Sequence, residues 1–295
     1  TLDAMERFVS DLHGGNIRGS TNKKITSILN IGIGGSELGS TMTVNALRSY
    51  WKGNLNYYSV SNGDQSEINC VLKKVKLDET LFFICSKSFH TIETKNNATI
   101  AKEALEVNFG KRAINKHFLG VSSSREGMTD FGIHKDKQFY ISDWVGGRFS
   151  ITSAMGLPLA CMIGMDNFYR FLDGARLMDM HFKNASFDLN MPVILAMLSV
   201  YYTNFHNVQS QAIICYGDRL THFTDFVRQL HMESLGKKTK IDGNPVNVNT
   251  GNVIWGGSGS DGQHSYFQLL HQGSYTIPID FIVDAGVNDD HMDTY

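Results

Sequence analysis

The sequence predicts an α/β protein built on a parallel sheet. Three observations carry this. Short apolar runs alternate with longer helix-spaced segments through the first half, the signature of βαβ units. Glycine is frequent and proline rare, 28 against 4 of 295 residues, which suits tight strand-to-helix turns better than linkers. Hydrophobic residues make up 42% and charged residues 19%, enough apolar surface for a sizeable core. The length falls near the roughly 250–300 residues at which single cores stop growing. Two subdomains are therefore expected, residues 1–162 and 163–295.

The elements follow in order. Leu2, Met5, Phe8, Val9 and Leu12 recur at helical spacing. Ile25–Ile31 is an apolar run closed by a glycine cluster, and Glu37–Trp51 then reads as a helix. Leu55–Ser61 is a strand and Ser66–Val75 a helix. Thr80–Cys85 (TLFFIC) is a short, almost wholly apolar strand, followed by a helix over Glu93–Phe109 and a strand over His117–Ser122. The second half turns helical, with helices predicted over Phe149–Met162, Phe168–Phe182 and Met191–Phe205. Gln211–Cys215 is strand-like and Thr221–Glu233 helical. A Gly/Asp/Asn-rich stretch leads to a strand at Asn252–Trp255, a helix at His264–Leu270 and an apolar run at Thr276–Val283. The last residues, from Asp284, show no periodicity. The chain opens on Thr1 directly inside a helical pattern, so it reads as the interior of a longer protein.

Composition narrows the function. A net charge of −2 argues against nucleic acid or a membrane surface as a partner. The longest apolar stretches, Ile151–Met165 and Met191–Tyr202, fall short of the ~20 residues a membrane span needs. No signal peptide is visible. Cys70, Cys85, Cys161 and Cys215 form no C-x-x-C pair, so neither a zinc ribbon nor a thioredoxin-like site is written. Reduced thiols point to a reducing, intracellular compartment. The histidines show no metal-ligand spacing, and no metal or other cofactor is expected.

Five segments carry chemistry. I-G-I-G-G-S-E-L-G (31–39) joins a strand to a helix, where backbone amides and the positive helix end favour an anion. A dinucleotide fingerprint would need glycine at 37, where Glu37 stands. A phosphate or sugar contact through Gly35 and Ser36 is the better reading, with a structural turn as its rival. C-S-K-S-F-H-T-I-E-T (85–94) offers the hydroxyls of Ser86, Ser88 and Thr91, the charge of Lys87 and the amides of a starting helix. Such a set at the carboxyl end of a parallel strand holds phosphate. An ordinary Ser/Thr cap beside a solvated lysine is the alternative, disfavoured once the glycine turn is considered with it.

D-W-V-G-G-R-F-S (143–150) lets Arg148, a permanent cation, approach a ligand and stabilise an oxyanion; a structural salt bridge explains it equally well. In R-Q-L-H-M-E-S-L-G-K (228–237), Gln229 and Glu233 share one helix face. A partly desolvated carboxylate there can act as a general base, although most helical glutamates are simply solvated. In G-S-D-G-Q-H (259–264), His264 is expected at a helix start, where the dipole favours neutral imidazole and a proton shuttle; a capping or packed histidine is the equal alternative.

Taken in order along nearly the whole chain, these segments resemble the phosphoglucose isomerase family. The resemblance includes G-I-G-G-S-x-L-G, S-K-x-F-x-T-x-E-T, D-W-V-G-G-R-x-S, a D-N-F followed by G-A-x-x-M-D-x-H-F, Q-x-x-x-E-S, and W-G…G-Q-H…F-Q-L-x-H-Q-G. It implies two sugar-isomerase subdomains, flavodoxin-like three-layer αβα with parallel sheets, the second incomplete. It implies interconversion of glucose 6-phosphate and fructose 6-phosphate through a cis-enediol(ate), in cytoplasmic glycolysis and gluconeogenesis. Ser86, Lys87, Ser88 and Thr91 would bind the sugar phosphate, and Gly35, Ser36, Gly147 and Gln229 would line the substrate site. Glu233 would be the base, Arg148 the enediolate stabiliser and His264 the ring-opening group, contributed across a homodimer. Several positions depart from the family: Ser88 and His90 stand for usual threonines, Leu235 for asparagine, and GGSGSD (256–261) for G-E-P-G-T-N. The family's C-terminal lysine signature, D-Q-x-G-V-E-x-x-K, is absent, as are its N-terminal helices, so a fragment is expected. A non-catalytic sugar-phosphate-binding module is the competing reading. It would not need Glu233 or His264. A nucleotide-dependent oxidoreductase fits less well, since Asp64 lies past Gly63 in a turn, too late to close the second strand.

Overall fold

Every residue of Thr80–Cys85 is buried, and their side chains alternate between two cores. Leu81, Phe83 and Cys85 enter one apolar cluster while Phe82 and Ile84 enter another. A strand covered on both faces reads as a continuous apolar run, which is why TLFFIC shows no polar alternation. The computed structural model describes residues 1–284; the unpatterned end of the sequence, 285–295, lies outside the described residues.

Described elements run in the order α1 (Leu2–His13), β1 (Ser27–Ile31), α2 (Leu38–Ala46), β2 (Asn56–Val60), α3 (Gln65–Lys74), β3 (Thr80–Cys85), α4 (Ile92–Phe109), α5 (Ile114–His117), β4 (Phe118–Ser122), α6 (Arg125–Phe131), β5 (Gln138–Tyr140), α7 (Leu157–Ile163) and α8 (Met165–Asn184). They continue with α9 (Met191–Phe205), β6 (Ser210–Tyr216), α10 (Phe223–Leu235), β7 (Val253–Ser258), α11 (Gly259–Gln263), α12 (Phe267–Gln272) and β8 (Ile279–Val283). The chain divides into two compact units, Thr1–Arg176 and Leu177 onward. This division falls inside α8, later than residue 162, because Met165 and Phe168 of that helix are buried in the first unit's core.

In the first unit five parallel strands lie in the order β2-β1-β3-β4-β5. This is the flavodoxin-like winding, whose order reverses between β1 and β3. One face packs on α1, α2 and α7 through Met5, Phe8, Val44 and Leu159; the other packs on α3, α4 and α6 through Ile68, Ala101, Leu105 and Met128. Phe82 and Phe118 stack with ring centroids 4.9 Å apart. The second unit holds three parallel strands in the order β7-β6-β8, with Ile213, Cys215 and Ile254 as its buried cluster. The expected α/β class with parallel sheets is what the chain builds.

Local departures have identifiable causes. The helix expected over Phe149–Met162 is instead two 3₁₀ segments, Gly147–Thr152 and Ala154–Gly156, followed by α7. Ser153 interrupts it: its hydroxyl donates to the Ser150 carbonyl at 2.6 Å and accepts from the Met155 amide at 3.2 Å, offering the backbone an alternative to a helix. The short helix α6, absent from the sequence expectation, is capped by Ser124 and stopped by Gly132 at φ 101°. Strand β5 escapes the pattern because it has only three residues. Among the described residues no helix is long and apolar enough to cross a membrane.

Candidate functional site

Three loops of the first unit converge at the carboxyl ends of β1 and β3, where an open α/β sheet binds ligands. The first is the glycine turn after β1. Gly34 takes φ +58°, and residues Gly34–Ser36 form a 3₁₀ turn leading into α2. A Cβ on Gly35 would lie 2.2 Å from the carbonyl carbon of Gly147 and 2.5 Å from the Arg148 nitrogen, so only glycine allows the two loops this approach. The Ser150 hydroxyl donates to the Gly35 carbonyl at 3.2 Å and clamps the contact. Ser36 is buried.

Glu37 turns inward. Its carboxylate accepts from the Thr41 hydroxyl and, at 3.0 Å, from the Ser59 hydroxyl on β2. It therefore supports the turn, whose Ser36 and Glu37 amides donate to the Ile33 carbonyl at 3.2 Å and the Gly34 carbonyl at 3.0 Å. Burial pushes the Tyr57 phenol and the Cys85 thiol well up, so both stay protonated at neutral pH.

The second loop follows β3. Its Ser86 hydroxyl accepts from the Phe89 amide at 3.2 Å and points to the Thr91 hydroxyl at 3.4 Å. Thr91 stands at the N-cap of α4 but makes no side-chain cap bond. The capping alternative is thus not realised at Thr91, and the first-turn amides of an 18-residue helix are left available. Phe89 sits at φ +59° with its ring buried, anchoring the loop's far side. The Ser88 oxygen accepts from the His90 amide at 3.2 Å.

Lys87 joins the second loop to the third. Its ammonium donates to the Asp143 carbonyl at 2.7 Å, and its own carbonyl accepts from the Ser122 hydroxyl at 2.8 Å, the Ser123 hydroxyl at 2.9 Å and the Ser123 amide at 2.9 Å. These two serines and the Asp143 carbonyl were missed in the sequence. The only hint is the Ser122–Ser124 run at the end of β4. In the third loop, Arg148 is half-buried and its guanidinium lies 5.0 Å from the Phe149 ring centroid. Space beside Gly147 is open, since a Cβ there would meet nothing within 4 Å.

The second unit carries the remaining candidates. On α10 the Gln229 amide donates to the Glu233 carboxylate at 2.9 Å, the one-turn spacing expected. Glu233 is solvent-exposed, not partly desolvated as its place at the helix end suggested. His264 departs further. It follows α11 as its C-terminal flank and precedes α12, so it does not start a helix and the N-terminal dipole argument does not apply. Residues 264–266 form the turn between α11 and α12, where the Tyr266 phenol packs on Gly262 so closely that an added Cβ would lie 2.6 Å from its oxygen. In GGSGSD (256–261) the departing glycine, Gly257, takes φ +145°, and Gly256 before it fits the expected pattern. Gly256 takes φ +121°, and a Cβ there would lie 2.1 Å from the Ile213 carbonyl. Among the described residues no three His, Cys, Asp or Glu side chains cluster as a metal site.

Comparison with known proteins identifies relatives. A family model described as phosphoglucose isomerase matches residues 1–294. A glucose-6-phosphate isomerase of Marinomonas sp. is 47% identical over 284 residues, 96% of this chain and 52% of the relative. One from Shewanella denitrificans is 49% identical over the same length and shares. The crystal structure of a glucose-6-phosphate isomerase from Chlamydia trachomatis superposes with TM-score 0.85 at 32% identity, covering 95% of this chain and 52% of that one. The chain spans about half the length of the curated relatives it matches.

Proposed function

The chain belongs to the phosphoglucose isomerase family, and we propose that its protein interconverts glucose 6-phosphate and fructose 6-phosphate through a cis-enediol(ate). The observation that carries this reading is the convergence of the glycine turn, the Ser86–Thr91 loop and the Gly147–Arg148 loop where the strand order reverses. Aldose–ketose isomerisation moves a proton between adjacent carbons. It needs a grip on the phosphate, a base and a cation for the developing oxyanion.

Ser86, Lys87, Ser88 and Thr91 supply the grip, with the amides that start α4. Gly35, Ser36 and Gly147 give backbone access to the sugar, and Gln229 adds an amide contact. Glu233 moves the proton between C2 and C1, and the Gln229 amide orients its carboxylate. Arg148 cannot act as a base at any ordinary pH; its role is to hold the enediolate oxygen. His264 assists ring opening, from the neighbouring subunit of a homodimer. The chemistry requires no metal or nucleotide. The free thiols of Cys70, Cys85, Cys161 and Cys215 fit a reducing, cytoplasmic setting in glycolysis and gluconeogenesis.

The experiment is proton NMR of fructose 6-phosphate with the protein in heavy water. Deuterium entering at C1, together with glucose 6-phosphate, is the expected result, and a sugar-acid phosphate that mimics the enediolate should block both. Binding of the sugar phosphate with no exchange would sink the isomerase reading and leave a binding module.

A further inference from the structure

We propose that Glu37 is a positioning residue: through the glycine turn its buried carboxylate holds the backbone at Gly147–Arg148 where the enediolate-stabilising arginine needs it. This inference rests on the isomerase reading above. Glu37 is only 7% exposed, and a carboxylate out of water is costly unless it is hydrogen-bonded. Its two donors come from separate elements, the Thr41 hydroxyl one turn into α2 and the Ser59 hydroxyl on β2. The carboxylate therefore ties the end of the turn to both the helix and the neighbouring strand. Among the described residues it forms no ion pair, so the two hydroxyls carry the whole of its support. Among the described residues the buried Tyr57 phenol oxygen finds no hydrogen-bond partner.

The path to the arginine is short and stiff. Gly35 lies two residues before Glu37, and its backbone packs so closely on Gly147–Arg148 that even a methyl group would overlap them. The Ser150 hydroxyl closes the same contact on the Gly35 carbonyl. Asn30, fully buried in β1, directs its amide at the Ser36 carbonyl, 3.4 Å away. A displaced turn must therefore move the backbone that carries Arg148. The phosphate loop has other supports, Ser122, Ser123 and the Asp143 carbonyl. Disturbing Glu37 should spare the grip and misplace the cation, a change that small displacements make costly for rate.

The test is steady-state kinetics on the protein with Glu37→Gln, which keeps the shape and removes the charge, and with Ser59→Ala, which removes one donor. The expected result for Glu37→Gln is a kcat about tenfold lower with KM within about threefold, and a smaller fall in kcat for Ser59→Ala. Activity is counted per folded molecule, with the folded fraction taken from circular dichroism. A structural role alone would lower the thermal midpoint and leave kcat per folded molecule unchanged, and that outcome overturns the proposal. If Glu37→Gln does not fold, Ser59→Ala decides by the same criterion. A wild-type protein that binds fructose 6-phosphate yet exchanges no C1 proton overturns the isomerase reading, and this inference with it.

Discussion

In the first unit the candidate residues sit in loops pinned from several sides; in the second Glu233 and His264 stand exposed at helix ends. Lys87 is held by its own ammonium and by three donors to its carbonyl, beneath which lie two apolar cores, one on each face of the sheet. Glu233 is exposed at the end of α10 with the Gln229 amide on it, above a buried cluster of three residues. In the same unit α9 exposes Leu195, Met197 and Phe205. The difference separates two demands of the chemistry. A phosphate site gains from rigidity, because amides and hydroxyls held in place lose little freedom on binding. A base needs its carboxylate reachable by the substrate.

The comparison can be broken first at the base. Glu233→Gln should lower kcat by about 10²–10⁴-fold while the dissociation constant for a sugar-phosphate inhibitor stays put; a variant that keeps most of its activity removes Glu233 from the mechanism. The grip comes next. Lys87→Ala should weaken sugar-phosphate binding by roughly ten- to a hundredfold, the scale of one hydrogen bond to a charged group, and calorimetry that finds an unchanged dissociation constant would count against the cradle.

The smallest effect sharpens the view of the first unit's rigidity. At the far end of its strands, His117 is fully buried. Its Nε2 accepts from the Ser20 amide at 2.8 Å, so Nδ1 carries the proton and donates to the Thr80 carbonyl at 2.6 Å. Burial holds this imidazole below its ordinary value, and nearby Lys137 and Lys116 push the same way, while the bond to the Thr80 carbonyl and the charge of Asp78 oppose them. As pH falls, the unfolded chain takes up the proton first. The stability that neutral His117 contributes is full above about pH 6.5 and is lost progressively below it. Thermal midpoints taken above and below that pH should fall on acidification, and His117→Gln should flatten the slope. An equal slope in both proteins would show that other groups dominate.

Much of this was written in local sequence. Strands β1 and β3, helices α3, α4 and α9, and the parallel class all follow from hydrophobic spacing, because a strand covered on both faces or a helix covered on one leaves a periodic record. The segments that hold candidate residues were legible for the same local reason: glycines mark close backbone approach, and hydroxyls cluster where a helix begins. Tertiary structure alone decided the rest. The Ser122 and Ser123 support of Lys87 joins residues far apart in sequence. So do the contact of Gly35 with Gly147, the inward turn of Glu37 toward Ser59, and the burial of Met165 and Phe168 in the first unit. His264 shows the limit most directly. Helical spacing placed it at a helix start, whereas it stands in the turn between α11 and α12, where Tyr266 packs against Trp255 of β7 with ring centroids 5.1 Å apart. Such contacts depend on which surfaces meet once the sheet has formed, and local pattern holds no record of that meeting.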